Sequence, residues 1–219
     1  MTVRVQSPVV AQRQGAPTTF TDPFTGTTAD ELRRRYAEVN HGTAPLFSQA
    51  GGNLVYTSSP SSGGEGIICF GAPGLAVSQS QFIIVTIAAL NVANRTGVGL
   101  YLSGAAQAHV SAGQMYGYHT HFFTGTINAF GLTPGDPNAY ALGLALGAPA
   151  VNDVMEFQVD IRAADNRIRL WQNNTLLLDV TDNIAARVTS ANRGMPGFFG
   201  SGNGGGSISY STMTIRPSR

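Results

Sequence analysis

The densest group of residues able to do chemistry is Tyr116-Gly-Tyr-His-Thr-His121. On a strand, His119 and His121 share a face, because alternate side chains point the same way and lie about 6.5–7 Å apart. Two imidazoles so placed could take a metal, and a Tyr beside a His can serve lyase chemistry. Zinc, however, takes about three or four protein ligands, and no third His or acidic residue stands near in the sequence. The plainer reading is a half-buried strand carrying polar positions. Sugar contact by Tyr116, Tyr118, His119 and His121 stands beside it. A second candidate is Trp171, the one Trp of the chain. In Arg167-Ile-Arg-Leu-Trp171 it alternates with Ile168 and Leu170, so it shares a face with Arg167 and Arg169. On an open face it is a stacking platform for a sugar or an anchor for a partner. On a covered face it is core.

Carboxylate pairs that cleave glycosidic bonds sit about 5–5.5 Å apart in retaining enzymes and about 6.5–9.5 Å apart in inverting ones. A strand achieves this with acids at i and i+2, yet the chain has no Glu-x-Asp or Glu-x-Glu. Glu156 and Asp160 lie roughly 13 Å apart if both are on one strand. Cys69, the single cysteine, lies in the apolar run Gly66-Ile-Ile-Cys-Phe70 and reads as a buried, inert thiol. Asp136, Asn138, Asp153, Asp165 and Asn166 form no recognised calcium-loop motif. The Gly-rich run 200–206 has no following helix to make a phosphate site. The expectation is a chain without catalytic residues, metal or cofactor.

The elements that must position these residues are mostly strands. Of 219 residues, 42% are hydrophobic and only 11% charged, with 27 Gly. A charged share well below the usual quarter or so favours short strands and tight turns over amphipathic helices. Gln81–Leu90 reads as a central buried strand, Met115–Phe123 and Ala139–Leu146 as further strands, and Ser207–Ile215 as the last. The clearest pattern is a meander over 154–181. Strands Val154–Arg162, Arg167–Trp171 and Thr175–Val180 are joined by turns at Ala163–Asn166 and Gln172–Asn174. One short helix is expected over Thr28–Val39, from a Thr28 or Asp30 cap and the spacing of Leu32, Tyr36 and Val39. Residues 1–19 read as an extended arm, with Val3, Val5, Val9 and Val10 suited to adding a strand to a neighbour. The net charge of +1 without a basic block argues against nucleic acid and anionic membrane as partners. No segment resembles a signal peptide or a transmembrane helix.

The order of motifs is similar to that of the concanavalin A-like lectin/glucanase superfamily over roughly residues 20–216. The carriers are Phe20-x-Asp-x-Phe24-x-Gly26, Glu156-Phe-x-Val-x-Ile161, Ile168-x-Leu-Trp-x-Asn-Asn174, Leu176-Leu-Leu-x-Val-Thr-Asp182, Gly194-x-Pro-Gly-Phe198 and a last strand ending Met213-Thr-Ile215. The resemblance implies an all-β, two-sheet antiparallel jelly-roll sandwich over 20–219, with adjacent first and last strands. That fold hosts lectins, glycosidases, lyases and viral particle proteins, and does not decide among them. The leading expectation is a non-enzymatic component of a bacteriophage particle, either a capsid decoration or a tail- or fibre-associated protein. It would be made in the host cytoplasm and would bind other virion proteins and copies of itself through the arm. It would touch surface glycans through Tyr116, Tyr118, His119, His121, Arg169 and Trp171. A stand-alone carbohydrate-binding protein is the alternative, and a glycan hydrolase or lyase the third reading.

Overall fold

A computed structural model describes residues 19–24, 36–41, 47–58, 65–70, 80–91, 95–103, 117–123, 126–132, 140–147, 149–189, 194–201 and 206–216. All regular structure among them is β. The strands are β1 Phe20–Asp22, β2 Tyr36–His41, β3 Phe47–Ala50, β4 Asn53–Ser58, β5 Glu65–Phe70, β6 Ser80–Leu90, β7 Arg95–Ser103 and β8 Gly117–Phe123. They continue with β9 Thr126–Leu132, β10 Tyr140–Leu146, β11 Val154–Ile161, β12 Asn166–Gln172, β13 Thr175–Asp182, β14 Gly194–Ser201 and β15 Gly206–Arg216. One antiparallel sheet runs β13-β12-β11-β6-β15-β4-β3, with β1 also paired to β15; the other runs β10-β9-β8-β7-β14-β5-β2. Phe20 lies opposite Ile215 and Asp22 opposite Met213, so the first and last described strands are neighbours. The architecture is a jelly-roll sandwich.

Strand alternation builds the core. Met155, Phe157, Val159 and Ile161 of β11 and Ile168 and Leu170 of β12 point inward. They join Val98, Leu100, Tyr118, Phe122 and Ile127 of the opposing sheet in one cluster. Each such side chain contributes about 1.5–3 kcal/mol by leaving water. The intervening residues of β11 and β12 therefore face outward, Trp171 among them. The meander has the register that its turns impose: Ile161 pairs Asn166 and Glu156 pairs Trp171. Asn173 and Asn174 sit at φ 50° and 66° in the β12–β13 turn. Asn tolerates that left-handed backbone, which the tightest hairpin loops require at both central positions.

Two buried aspartates tie the sheets together at opposite edges. Asp22 of β1 accepts the Tyr36 hydroxyl of β2 at 2.8 Å and the Phe24 N–H at 2.9 Å. Asp182 of β13 accepts the hydroxyls of Tyr118 and Tyr140 at 2.6 and 2.7 Å, and the Ile184 N–H at 3.1 Å. In both, one oxygen reaches across the sandwich while the other caps the backbone two residues on. Burial first, and then the Asp182 carboxylate, push both phenols well above the ordinary tyrosine range.

Two sequence expectations change or fall outside this structure. The helix read over Thr28–Val39 is overturned at its end, because Tyr36–His41 is a strand. It pairs β5 from Tyr36 opposite Phe70 to His41 opposite Glu65. Pairing with a distant strand overrides a three-residue spacing that also suits a helix. Residues 28–35 lie outside the described residues, as do 1–18, which hold the arm residues Val3, Val5, Val9 and Val10.

Candidate functional site

The outward face of β13, β12, β11, β6 and β15 can be written from its registers. One row holds Leu176, Trp171, Glu156, Ile84 and Thr214. The next holds Asp179, Arg169, Gln158, Phe82 and Arg216, and the third Thr181, Arg167, Asp160 and Ser80. Arg167 grips Asp179 through Nε and a terminal nitrogen at 2.7 and 2.5 Å. That guanidinium holds the Asp179 carboxyl below its usual range.

Across these three rows lies a cleft of about 280 Å³, lined by Ser80, Phe82, Gln158, Asp160, Arg169 and Trp171. Its volume is near the roughly 300 Å³ at which ligand pockets begin. Arg169 pairs with one oxygen of Asp160, and Gln158 Nε2 donates to the other at 2.7 Å. The Arg169 guanidinium carbon stands 5.6 Å from the Trp171 ring centroid, so a cation–π contact fixes both side chains. Trp171 is half-buried rather than packed in the core. Chemically the cleft offers an aromatic wall, an apolar floor at Phe82, and donors and acceptors side by side. Both Asp160 oxygens already carry hydrogen bonds, an arrangement suited to orienting a ligand rather than to passing a proton.

The aromatic-histidine segment is placed differently. Tyr118 is fully buried between the sheets, where its hydroxyl also accepts Asn166 Nδ2 at 2.6 Å. It cannot reach a surface ligand, which corrects its assignment as a contact residue. His119 and His121 share a face as the alternation predicts, with ring centroids 4.8 Å apart and Phe130 at 5.5 and 4.6 Å. Both are buried, at 1% and 9% exposure, so neither offers an open contact surface. Desolvation, reinforced by His121, holds His119 well below the ordinary imidazole range. Tyr116 lies outside the described residues. No group of three or more His, Cys, Asp or Glu able to hold a metal occurs among the described residues. Asp153 is ringed by donors instead: Asn173 Nδ2 at 2.7 Å, Gln172 Nε2 at 2.5 Å and the Ala150 N–H at 2.6 Å.

Of the residues expected to touch a ligand, Trp171 and Arg169 therefore meet in one cleft. Gln158, Asp160, Ser80 and Phe82 were not singled out as contacts. The hairpin register could have supplied Gln158 and Asp160, which fall opposite Arg169 and Arg167. Ser80 and Phe82 come from β6, and nothing local reveals that β6 lies beside β11.

No family model and no curated protein matches the chain. Many solved structures do. A Bacillus subtilis protein of unknown function with a galectin-like fold superposes with a TM-score of 0.59 at 9% identity, over 91% of this chain and 96% of that one. A Lotus tetragonolobus seed lectin gives 0.53 at 9% identity, over 90% and 96%. An endo-1,3-β-glucanase from Streptomyces sioyaensis gives 0.50 at 12% identity, over 99% and 100%. The fold is thus the concanavalin A-like jelly roll, shared by lectins and a glucanase.

Proposed function

We propose that this protein is a carbohydrate-binding module, not an enzyme, and that it holds its glycan in the cleft beside Trp171. The observation that carries this reading is a partly exposed indole at a cleft in the outward sheet face, above buried Phe82 and Gln158 and beside hydrogen-bonding side chains that are already fixed in place. One face of a pyranose presents C–H groups that pack on the electron-rich face of an aromatic ring. Its hydroxyls need donors and acceptors together, and the Arg169–Asp160 pair, Gln158 and Ser80 supply both. Fixed partners reduce the ordering cost of binding. The similarity of fold to a seed lectin agrees with this reading. The bacteriophage-particle reading leans on residues 1–19, of which 1–18 lie outside the described residues, and the similar structures lend it no support.

The test is a glycan array followed by calorimetric titration of the best binder. Trp171→Ala should weaken binding by about tenfold or more, and a melting curve checks that the variant is folded at the titration temperature. An array with no binder, or a Trp171→Ala protein that binds as the parent does, would overturn the proposal.

A further inference from the structure

The guanidinium that would attract an acidic sugar is already neutralised within the cleft. Arg169 forms an ion pair with Asp160, and their side chains are only 24% and 17% exposed. The surrounding charges balance in number as well: Arg167 is clamped to Asp179, and the three outward rows add one further cation, Arg216, and one further anion, Glu156. Resting on the glycan reading above, we propose that Asp160 sets the charge selectivity of this cleft. It admits uncharged sugars and refuses anionic ones.

A guanidinium has five N–H donors and a carboxylate about four lone-pair sites. One contact joins Arg169 to Asp160, and one more joins Asp160 to Gln158. A ligand hydroxyl can therefore accept from Arg169 and donate to Asp160 at once without disturbing the pair. A ligand carboxylate cannot donate. It would stand against Asp160 in a partly desolvated space, where like charges repel more strongly than in water. Even on a spare Arg169 N–H it would lie beside Asp160, which cannot swing away because Gln158 Nε2 holds its other oxygen at 2.7 Å.

The experiment titrates the full chain with oligomers of glucose and galactose, and with glucuronate and galacturonate oligomers of the same length. Wild type should prefer a neutral oligomer over its acidic counterpart by about tenfold or more. Asp160→Asn keeps the shape and the acceptor for Gln158 but leaves Arg169 uncompensated. It should gain acidic-sugar binding by about tenfold, and that gain should fall with added salt. Asp160→Ser repeats the test if the Asn variant folds poorly, and melting curves report this. Wild type preferring the acidic oligomers, or an unchanged neutral-to-acidic ratio in both variants, would overturn the role of Asp160 and leave the glycan reading standing. Binding of none of the four by wild type, with none on the array either, would instead remove the glycan reading on which the proposal rests.

Discussion

Replacing Tyr118 with Phe tests whether the Asp182 clasp holds the two sheets together. The ring would stay in the core, and only the hydroxyl is lost. That hydroxyl donates to Asp182 Oδ2 at 2.6 Å and accepts Asn166 Nδ2 at 2.6 Å. Neither partner is left bare, because Asp182 keeps Tyr140 and Asn166 keeps the Val188 carbonyl. The loss is thus close to one charge-assisted bond plus one neutral bond, without the full penalty of an orphaned buried group. That amounts to about 2–3 kcal/mol. For a domain of this size it lowers the melting temperature by roughly 4–12 °C. Tyr140→Phe should cost less, since Tyr140 is only half-buried and its removal leaves Tyr118 on the same oxygen. The double variant should cost more than the sum of the two, because Asp182 Oδ2 then loses both hydroxyls. Urea unfolding of the two single variants and the double variant measures the coupling. A Tyr118→Phe protein within about 0.5 kcal/mol of wild type, or strictly additive losses, would refute the clasp.

Three further outcomes follow from the same geometry. Acid should destabilise the fold through His119: its folded pKa is depressed, so below about 6.5 the unfolded chain takes up a proton that the native state refuses. Stability then falls with pH at up to about 1.4 kcal/mol per unit, and His119→Gln should flatten that slope between pH 7.5 and 5 in urea titrations. Asn173→Ala should cost about 1–2 kcal/mol by thermal unfolding. It removes a side chain that accepts the Val154 N–H at 2.9 Å and donates to Asp153 at 2.7 Å, on a backbone at φ 50°. Gly97→Ala should be among the most damaging single-methyl changes, at about 3 kcal/mol or more. Its Cβ would run into the Thr120 carbonyl oxygen and hydroxyl, and soluble yield with melting temperature would report it.

The meander was readable because its contacts are local. A four-residue turn after Ile161 and an Asn-Asn tip after Gln172 fix the register of three strands without reference to the rest of the chain. The outward set Arg167, Arg169 and Trp171 followed from strand parity alone. The clasps were not readable. Asp182 and Tyr118 are 64 positions apart, and Asp22 and Tyr36 are 14 apart and on different sheets. Tyr36 also shows how local spacing misleads. Its place three residues before Val39 suits a helix, yet what decides its conformation is a strand some thirty positions later.

For the candidate site the limit was of a different kind. Parity assigns a residue to a face but not whether another layer covers that face, and the same alternation gave opposite outcomes on two strands. His119 and His121 turned out buried, although they sit on the side of β8 away from the Tyr118 core position. Trp171 and Arg169, equally polar and aromatic in pattern, turned out partly open. What separates them is the company each strand keeps. On β12 the outward positions carry cations that find Asp160 and Asp179 on flanking strands, and such paired, half-solvated charges are compatible with an open face. On β8 the outward imidazoles meet Phe130 and each other, and burial keeps His119 neutral. An aromatic residue among charges that can be paired across neighbouring strands is therefore the stronger sequence signal for an accessible binding face. A Tyr-His run with no such partners is the weaker one, however chemical its residues look.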